Sequence, residues 1–137
     1  MKRIITIAIL LCLMHGSGTK LFSQEVTTKS GLRYSILKAG TGEAVQKGQR
    51  VGVYESMGYL SGKLIYSLQF PERPAKFILG EKQAIDGVDE GVTGMKVGEI
   101  RKQIIPPSLS KRTVYPDNLS PDSTLVYKIE LVEITKP

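Results

Sequence analysis

The chain has 137 residues, of which 41% are hydrophobic, and it carries a formal net charge of +6. This length suits a single domain. Its only Cys and its only His, at positions 12 and 15, lie in a stretch that we expect to be removed, which excludes disulfides, cysteine-histidine zinc sites and Ser-His-Asp triads from the rest of the chain.

The first 23 residues have the pattern of a secretory signal peptide. A basic start, Met1-Lys2-Arg3, precedes an apolar run over residues 4–14, and the small residue Ser23 stands before Gln24. The apolar run is shorter than the roughly 20 residues that are needed to span a bilayer. We therefore predict cleavage near Ser23-Gln24, a periplasmic or secreted mature protein, and no stable membrane insertion after cleavage.

The charge that remains after cleavage does not indicate a nucleic-acid partner. Loss of residues 1–23 removes three basic residues, which leaves sixteen basic and thirteen acidic residues and a net charge of +3. The basic residues are scattered, and the sequence has no platform of aromatic residues and arginines. It also has no Asp-x-Asp-x-Asp-Gly calcium loop. We expect neither a metal nor another cofactor.

A polar lead over residues 24–30 precedes the folded domain, which we place at residues 31–135. In the first predicted strand of this domain, Leu32, Tyr34 and Ile36 alternate with more polar neighbours. Such alternation is typical of a strand with one buried face.

The second predicted strand carries an unusual carboxylate. Its inward face is predicted to consist of Val51, Val53, Glu55 and Met57. Glu55 either lies at the mouth of a cavity or marks a local slip in register, because a shift of one residue exchanges the two faces and would bring Tyr54 inward.

Two further strands are predicted before the helix. Ser61-Gly62 is a hairpin signal that leads into a strand over residues 63–68. Pro71 and Pro74 then mark an irregular connection, at a sheet edge, into a strand at residues 76–79.

One amphipathic helix follows, with its apolar residues spaced three, four and three apart on a single face: Ile85, Val88, Val92 and Met95. The segment also contains three glycines, each of which costs about 1 kcal/mol relative to Ala in a helix. We therefore expect packing against a sheet, rather than intrinsic propensity, to hold this helix. The spacing of the glycines fits no nucleotide-binding fingerprint.

The last third of the chain predicts two strands joined by a long loop. A strand at residues 99–105 stops at Pro106-Pro107, because proline cannot donate to a ladder of hydrogen bonds. Residues 108–122 show no period, and long loops of this kind in compact domains tend to be functional. Residues 124–134 form the clearest strand, with predicted inward side chains Leu125, Tyr127, Ile129 and Leu131.

These elements add up to four to six antiparallel strands wrapped on one short helix. The helix interrupts the order of the strands between the middle ones and the last ones. The predicted fold class is therefore α+β, with a curved antiparallel sheet in the form of a half-barrel.

The residues also resemble a known family, the FKBP-type peptidyl-prolyl cis-trans isomerases. Eight segments in family order carry this resemblance: Gly31-Leu32-Arg33-Tyr34, Gly40-Thr41-Gly42, Gly62-Lys63, Phe77-Ile78-Leu79-Gly80, Gly87-Val88-Asp89-Glu90-Gly91, Met95-Lys96-Val97-Gly98-Glu99, Ile105-Pro106-Pro107 and Thr124-Leu125-Val126-Tyr127-Lys128-Ile129-Glu130-Leu131. The resemblance implies an FKBP-like fold and an enzyme that rotates X-Pro bonds in proline-containing polypeptides. The barrier to rotation of an X-Pro bond, roughly 18–20 kcal/mol, comes from amide resonance, and crossing it needs no proton transfer. A mature chain without histidine is therefore compatible with this activity.

The resemblance further implies a substrate-binding pocket. Phe77 and Tyr127 match aromatic residues of the family, and Ile65 keeps an apolar wall where the family prefers Phe. Ile85 matches the residue whose side chain lines the pocket and whose backbone N–H meets a substrate carbonyl. These four residues are expected to preserve the shape of the pocket.

Other positions of the pocket depart from the family. Glu55 stands where the family usually has Tyr, and Tyr66 stands where it has Asp. Ala84 replaces a branched aliphatic residue, and Val88 replaces the Trp that floors the pocket. At about 25 cal/mol per Å², the loss of roughly 50–100 Å² of apolar contact at that floor weakens binding by roughly 1–2.5 kcal/mol.

The long loop departs from the family as well. Lys111 and Arg112 replace a Tyr and the Gly that follows it. Tyr115 falls where the loop turns back over the site and is a candidate substitute for that Tyr. We interpret Lys111 and Arg112 as solvated loop charges, with selection of an acidic peptide as the alternative.

The sequence therefore predicts a monomeric folding helper for exported proteins, with weak isomerase activity. The alternative is a non-catalytic FKBP-fold module that binds proline-containing peptides. The residues at positions 55 and 66 would then have been exchanged for a different ligand, whereas under the first reading they reflect a weakened activity.

Overall fold

The computed structural model describes residues 24–135, so the predicted signal peptide lies outside the described residues. In chain order, the elements are β1 (Val26–Thr27), β2 (Arg33–Lys38), β3 (Arg50–Tyr59), β4 (Leu64–Leu68), β5 (Ala75–Ile78), α1 (Asp86–Val92), β6 (Ile100–Ile105), a 3-10 turn (Pro107–Leu109) and β7 (Leu125–Thr135). The predicted α+β class with one short helix is confirmed for this part of the chain. Seven strands form where four to six were predicted, and one of them, β1, lies within the polar lead.

The seven strands form a single antiparallel sheet. Its order is β1-β2-β6-β7-β3-β4, and β5 pairs with β3 beside β4 on the same edge. The register shifts at three places: in the pairing of β2 with β6, of β3 with β4 and of β3 with β7. Shifts of this kind bend a strand and increase its twist. The sheet is accordingly curved, but it does not close into a barrel.

The concave face of the sheet carries the core. The inward residues that were predicted for β7, namely Leu125, Tyr127, Ile129 and Leu131, are all buried. Lys128, between two of them, is exposed on the convex face. The alternating pattern therefore predicted the two faces of this strand correctly.

Helix α1 is shorter than its apolar period suggested. Ile85 is the N-cap and Met95 lies beyond the C-cap Thr93, yet both residues still pack into the core. The backbone turns away at Gly94, whose φ of 89° is in the left-handed region that favours glycine. The described residues include no helix with the length and apolar character that a membrane crossing requires.

Two glycines let α1 lie directly on β6. A Cβ atom on Gly87 would come within 3.0 Å of Ile105 Cδ1, and one on Gly91 would overlap the side-chain amide of Gln103. Gln103 is fully buried, and its side chain makes no hydrogen bond within the part of the chain that the structure describes. These glycines therefore provide a close approach between helix and sheet, as the packing argument from the sequence predicted.

A buried ion pair reinforces the same contact. Arg101 Nε lies 2.6 Å from Glu99 Oε2, and the two side chains are 7% and 6% exposed. Arg101 Nη1 also donates to the carbonyl of Gly91 at 3.2 Å, and the guanidinium lies 4.4 Å from the centre of the Tyr34 ring. One arginine thus joins β6, the end of α1 and β2.

Substitution of Gly91 tests whether the close approach limits stability. Although Ala favours a helix by about 1 kcal/mol over Gly, we expect Gly91→Ala to lower the free energy of unfolding by about 1–3 kcal/mol, the usual cost of overpacking a core. The physical reason is the overlap of the new Cβ with Gln103. Urea unfolding followed by circular dichroism measures the change.

A double-mutant cycle provides the control for this prediction. Gln103→Ala removes the side chain that the new Cβ would overlap, so Gly91→Ala should cost less in that background, by at least about 0.5 kcal/mol. Equal costs in the two backgrounds would contradict the packing argument.

Candidate functional site

A register shift at the edge of the sheet turns two neighbouring side chains to the concave face. Met57 pairs with Tyr66, and Gly58 pairs with Leu64, so Ile65 has no partner on β3. Ile65 packs against the core, while Tyr66 stands opposite the buried Met57 and is 43% exposed. A regular strand would have placed Ile65 and Tyr66 on opposite faces.

The concave face next to these residues is apolar. Phe77, Val88 and Tyr127 are buried in the core, and four of the other predicted pocket residues pack against the same core while remaining partly accessible: Ile65, Ala84, Ile85 and Tyr115. The structure thus brings the predicted aliphatic and aromatic residues together on one apolar cluster. Lys111 differs from them, because its side chain is exposed on the loop.

The start of α1 offers an unused hydrogen-bond donor to this cluster. Ile85, the N-cap, has an extended backbone (φ −61°, ψ 152°), and its carbonyl accepts from the N–H of Asp89 at 3.0 Å. Within residues 24–135 the N–H of Ile85 donates to no acceptor. It is therefore free to bind a carbonyl of a ligand that rests on the side chain of Ile85.

Hydrogen bonds from tyrosines fix the long loop between β6 and β7. The hydroxyl of Tyr59 donates to the carbonyl of Asn118 at 2.7 Å and accepts from the N–H of Ser120 at 3.2 Å. Closer to the site, the hydroxyl of Tyr115 accepts from the backbone N–H of Arg112 at 3.2 Å. These bonds set the position from which Arg112 projects.

Arg112 extends from the loop to the aromatic side of the site. Its Nη2 donates to the hydroxyl of Tyr127 at 2.5 Å and lies 3.4 Å from Met57 Sδ. Its Nε is buried and has no hydrogen-bond partner among residues 24–135. The interpretation of Arg112 as a solvated loop charge is therefore wrong, since its guanidinium occupies space on the concave face.

Glu55 brings an opposite charge to the same face. It lies between Leu68 and Ile129 in the sheet, which places it on the concave side in line with Val53 and Met57. The alternation of β3 continues through Glu55, so the alternative of a slip that turns Tyr54 inward is wrong. Burial raises the pKa of the Glu55 carboxyl, and the positive charge of Arg112 offsets part of that rise.

The pKa values of the two tyrosines beside Glu55, Tyr66 and Tyr127, are both raised. Burial raises the pKa of Tyr127, and Glu55 and Tyr66 add to the rise, while the charge and hydrogen bond of Arg112 oppose it. The pKa of Tyr66 is raised by desolvation and then by the negative charges of Glu55 and Glu72. Both phenols therefore stay protonated at neutral pH, as hydrogen-bond donors rather than bases.

The groups that the structure brings together at the site are suited to binding. Among residues 24–135, no group of three or more His, Cys, Asp or Glu side chains is placed to hold a metal ion. The site combines an apolar wall, one free backbone donor and two charged groups at its rim. Such a combination suits a ligand that has both apolar and polar groups.

A separate cavity of about 170 Å³ opens on the convex face of the sheet. Residues that line it include Tyr54, Ser56, Ser67 and Lys128, and Glu55 of the candidate site also borders it. Phe77, Ile85 and Tyr127 take no part in its lining, so this cavity is distinct from the apolar cluster.

Sequence reasoning missed Arg112 and Met57 as members of the site. Met57 was predicted to face inward, but its sulfur is also a contact for the guanidinium of Arg112. No periodicity exists in the loop to show where a long side chain points. The only signal was the position of Arg112 next to Lys111, at the place where the resemblance puts a pocket residue.

Comparison with known proteins agrees with the fold. A family model described as FKBP-type peptidyl-prolyl cis-trans isomerase matches residues 41–132. The "FK506-binding protein 4" of Mycosarcoma maydis is 37% identical over 114 residues, which are 82% of this chain and 30% of that protein. The chloroplastic "Peptidyl-prolyl cis-trans isomerase FKBP19" of Arabidopsis thaliana is 34% identical, over 76% of this chain and 43% of its own. The chain thus spans less than half the length of these relatives.

Two solved structures have the same fold. FkpA from Escherichia coli is 31% identical and superposes with a TM-score of 0.70, over 80% of this chain and 51% of its own. AtFKBP13 is 25% identical and superposes with a TM-score of 0.72, over 82% of this chain and 99% of its own. The predicted FKBP-like architecture is therefore confirmed.

The buried Glu55 predicts a pH-dependent stability. Because burial raises the pKa of this carboxyl above its usual 4.5, the folded state keeps the proton to higher pH than the unfolded state. The contribution of the neutral Glu55 carboxyl to the free energy of unfolding is thus fully present below pH 4.5. This contribution is lost as the pH rises through the pKa that Glu55 has in the folded state. Glu55→Gln, which cannot ionise, should raise the melting temperature at pH 7, and the difference from the native protein should narrow towards pH 4.

Thermal unfolding by circular dichroism between pH 4 and pH 8 measures this difference. Glu43→Gln, at an exposed loop position, is the matched control for the loss of one negative charge. A stabilisation by Glu55→Gln that grew as the pH fell would contradict the burial of an ionised Glu55.

Proposed function

Since the chain belongs to the FKBP-type peptidyl-prolyl cis-trans isomerase family, we propose that it catalyses the cis-trans rotation of X-Pro bonds in exported polypeptides, and does so weakly. The observation that carries this proposal is the free N–H of Ile85 beside the apolar cluster of Phe77 and Tyr127. An apolar surface with one fixed donor is what the reaction requires.

The rotation needs a particular environment rather than a reactive group. The barrier arises because the amide loses its resonance when the C–N bond twists. Apolar surroundings favour the twisted amide, which carries less separated charge than the planar one, and a site that binds the twisted form more tightly lowers the barrier. In this chain the aromatic and aliphatic residues of the cluster would hold the proline ring, and the N–H of Ile85 would hold a neighbouring carbonyl of the peptide.

Two features support weak activity. Val88 is fully packed in the core and offers a smaller floor than a large aromatic residue would. Arg112 and Glu55 bring charge to the concave face, where the rotating amide benefits from a less polar environment.

The same two charges favour a second candidate function. A guanidinium and a carboxyl at the rim can bind polar groups of a peptide without any acceleration of its isomerisation. The alternative is therefore a non-catalytic module that recognises proline-containing polypeptides. The two candidates share the site and differ in turnover.

The proposed client is an exported polypeptide, with the protein itself acting as a monomer without a nucleic-acid partner. Support for export comes from the sequence of residues 1–23, whose basic start and short apolar run are typical of a secretory leader. This sequence pattern is the observation that supports this part of the proposal.

Two substitutions at one position test the catalytic proposal. Ile85→Ala keeps the backbone donor but shortens the side chain, and we expect kcat/KM to fall about tenfold, as a loss of roughly 1–2 kcal/mol of apolar contact predicts. Ile85→Pro also deletes the N–H, while its φ of −61° suits proline. Loss of that hydrogen bond should lower kcat/KM by about a further tenfold.

A protease-coupled assay on a panel of X-Pro peptides measures these rates. Leu37→Ala, at an exposed position of β2, is the matched control and should retain native turnover. If the native protein gives only the uncatalysed rate on every peptide, the catalytic proposal fails and the binding module takes its place.

Export makes a separate prediction. The full chain, expressed in a bacterial host with a periplasm, should be recovered there with Gln24 at or near its mature N-terminus, as mass spectrometry of the intact protein would show. Replacement of Lys2 and Arg3 by Glu should reduce the exported fraction. A protein that stays in the cytoplasm with residues 1–23 attached would refute the leader.

A further inference from the structure

Two opposite charges, Arg112 and Glu55, face the same side of the sheet without forming a salt bridge. The ion pairs within residues 24–135 are Arg33–Glu25, Lys76–Glu133 and Arg101–Glu99, and Arg112 and Glu55 do not belong to any of them. The side chain of Glu55 makes no hydrogen bond in this part of the chain, and the Nε of Arg112 is buried without a hydrogen-bond partner among the same residues. Arg112 Nη2 contacts Met57 and Tyr127, which pair with each other across β3 and β7. Glu55 lies two residues before Met57 on the same face of β3, so the two charged groups occupy adjacent positions.

We propose that Arg112 and Glu55 form a subsite for an uncharged amide side chain, Gln or Asn, on a residue that flanks the proline of the bound polypeptide. The amide carbonyl oxygen accepts from the guanidinium of Arg112, and the amide nitrogen donates to the carboxylate of Glu55. The proposal rests on the proposed function for the location of the proline, but not for catalysis.

The chemistry of the two groups discriminates against other side chains. A carboxylate in the subsite would be repelled by Glu55, and an ammonium group would be repelled by Arg112. An aliphatic side chain would displace water from both charges and leave them without partners. Sites built from buried polar groups reject a ligand that cannot pair with them, so an amide is the side chain that satisfies both groups at once.

The arginine is held in place before any ligand arrives. Its Nη2 is bound to the hydroxyl of Tyr127, and its backbone N–H is bound to the hydroxyl of Tyr115. Tyr127 lies in the central part of the sheet, and Tyr115 packs against the core. A guanidinium that is fixed in this way loses little conformational entropy on binding, which favours specificity.

Two series of short peptides test the proposal, one with the residue before the proline varied and one with the residue after it varied. In each series this residue is Gln, Asn, Leu, Glu or Lys. Dissociation constants come from chemical-shift titrations, and isomerisation rates come from exchange spectra without a coupling protease. In at least one series we expect the Gln or Asn peptide to bind the native protein at least about fivefold more tightly than the other three peptides.

Charge-changing variants then shift the preference in opposite directions. Glu55→Gln leaves the positive charge of Arg112 unopposed, so the Glu peptide should become the tightest ligand. Arg112→Gln leaves the negative charge of Glu55 unopposed, so the Lys peptide should become the tightest ligand. Lys102→Gln removes an exposed cation from the convex face and is the control that should keep the native ranking. Spectra of the backbone amides of each variant establish that it is folded. If Arg112→Gln does not fold, the result for Glu55→Gln alone decides whether the subsite exists.

The outcomes separate the subsite from the enzyme. If the Leu peptide binds most tightly in both series, or if Glu55→Gln does not move the preference towards Glu, the subsite is refuted even when every peptide is isomerised. If the ranking is as expected but no peptide is isomerised faster than in buffer, the subsite stands and the catalytic proposal fails.

Discussion

The close approach of α1 to β6 is the contact on which the site depends. Gly87 and Gly91 bring the helix backbone down to Ile105 and Gln103, where any larger residue would overlap the sheet. A helix of seven residues has little stability of its own, so this packing holds it. The buried pair of Arg101 and Glu99 fastens the C-terminal end of the helix to the same strand, because Arg101 also donates to the carbonyl of Gly91. Removal of either charge would leave the other one buried, and such changes are strongly destabilising.

The position of the helix in turn determines where its N-terminus points. Asp89 accepts from the N–H of Gly80 at 2.9 Å, which ties the turn after β5 to the first half of the helix. Ile85 lies between that turn and the helix, with its side chain on the core and with its N–H unpaired among the described residues. The rigid sheet and helix supply the apolar wall, while the loop between β6 and β7 supplies Arg112. This division between scaffold and loop is common in binding sites.

The parts of this structure that could be predicted from sequence are those with a strict period. β7 alternates over its length, and its faces were assigned correctly, because a buried sheet face imposes a period of two. The end of α1 could not be read in the same way, since Met95 continues the apolar period although the backbone has already turned at Gly94. The shared orientation of Ile65 and Tyr66 depends on a shift in register, which no pattern within β4 reveals. The inward course of Arg112 depends on a hydrogen bond to Tyr127 from across the fold.

The placement of Arg112 has a consequence for any rotation of an X-Pro bond. A planar amide carries negative charge on its oxygen through resonance, and the twisted amide carries less. A guanidinium that donated to the oxygen of the rotating amide would therefore stabilise the planar form and raise the barrier. A polar group helps only if it binds a part of the peptide that does not change in the transition state. The N–H donor of Ile85 and the charges of Arg112 and Glu55 are therefore compatible with catalysis when they bind groups that flank the rotating bond. In that arrangement these polar groups contribute to the choice of the peptide that is bound, and the apolar cluster contributes to the rate of rotation.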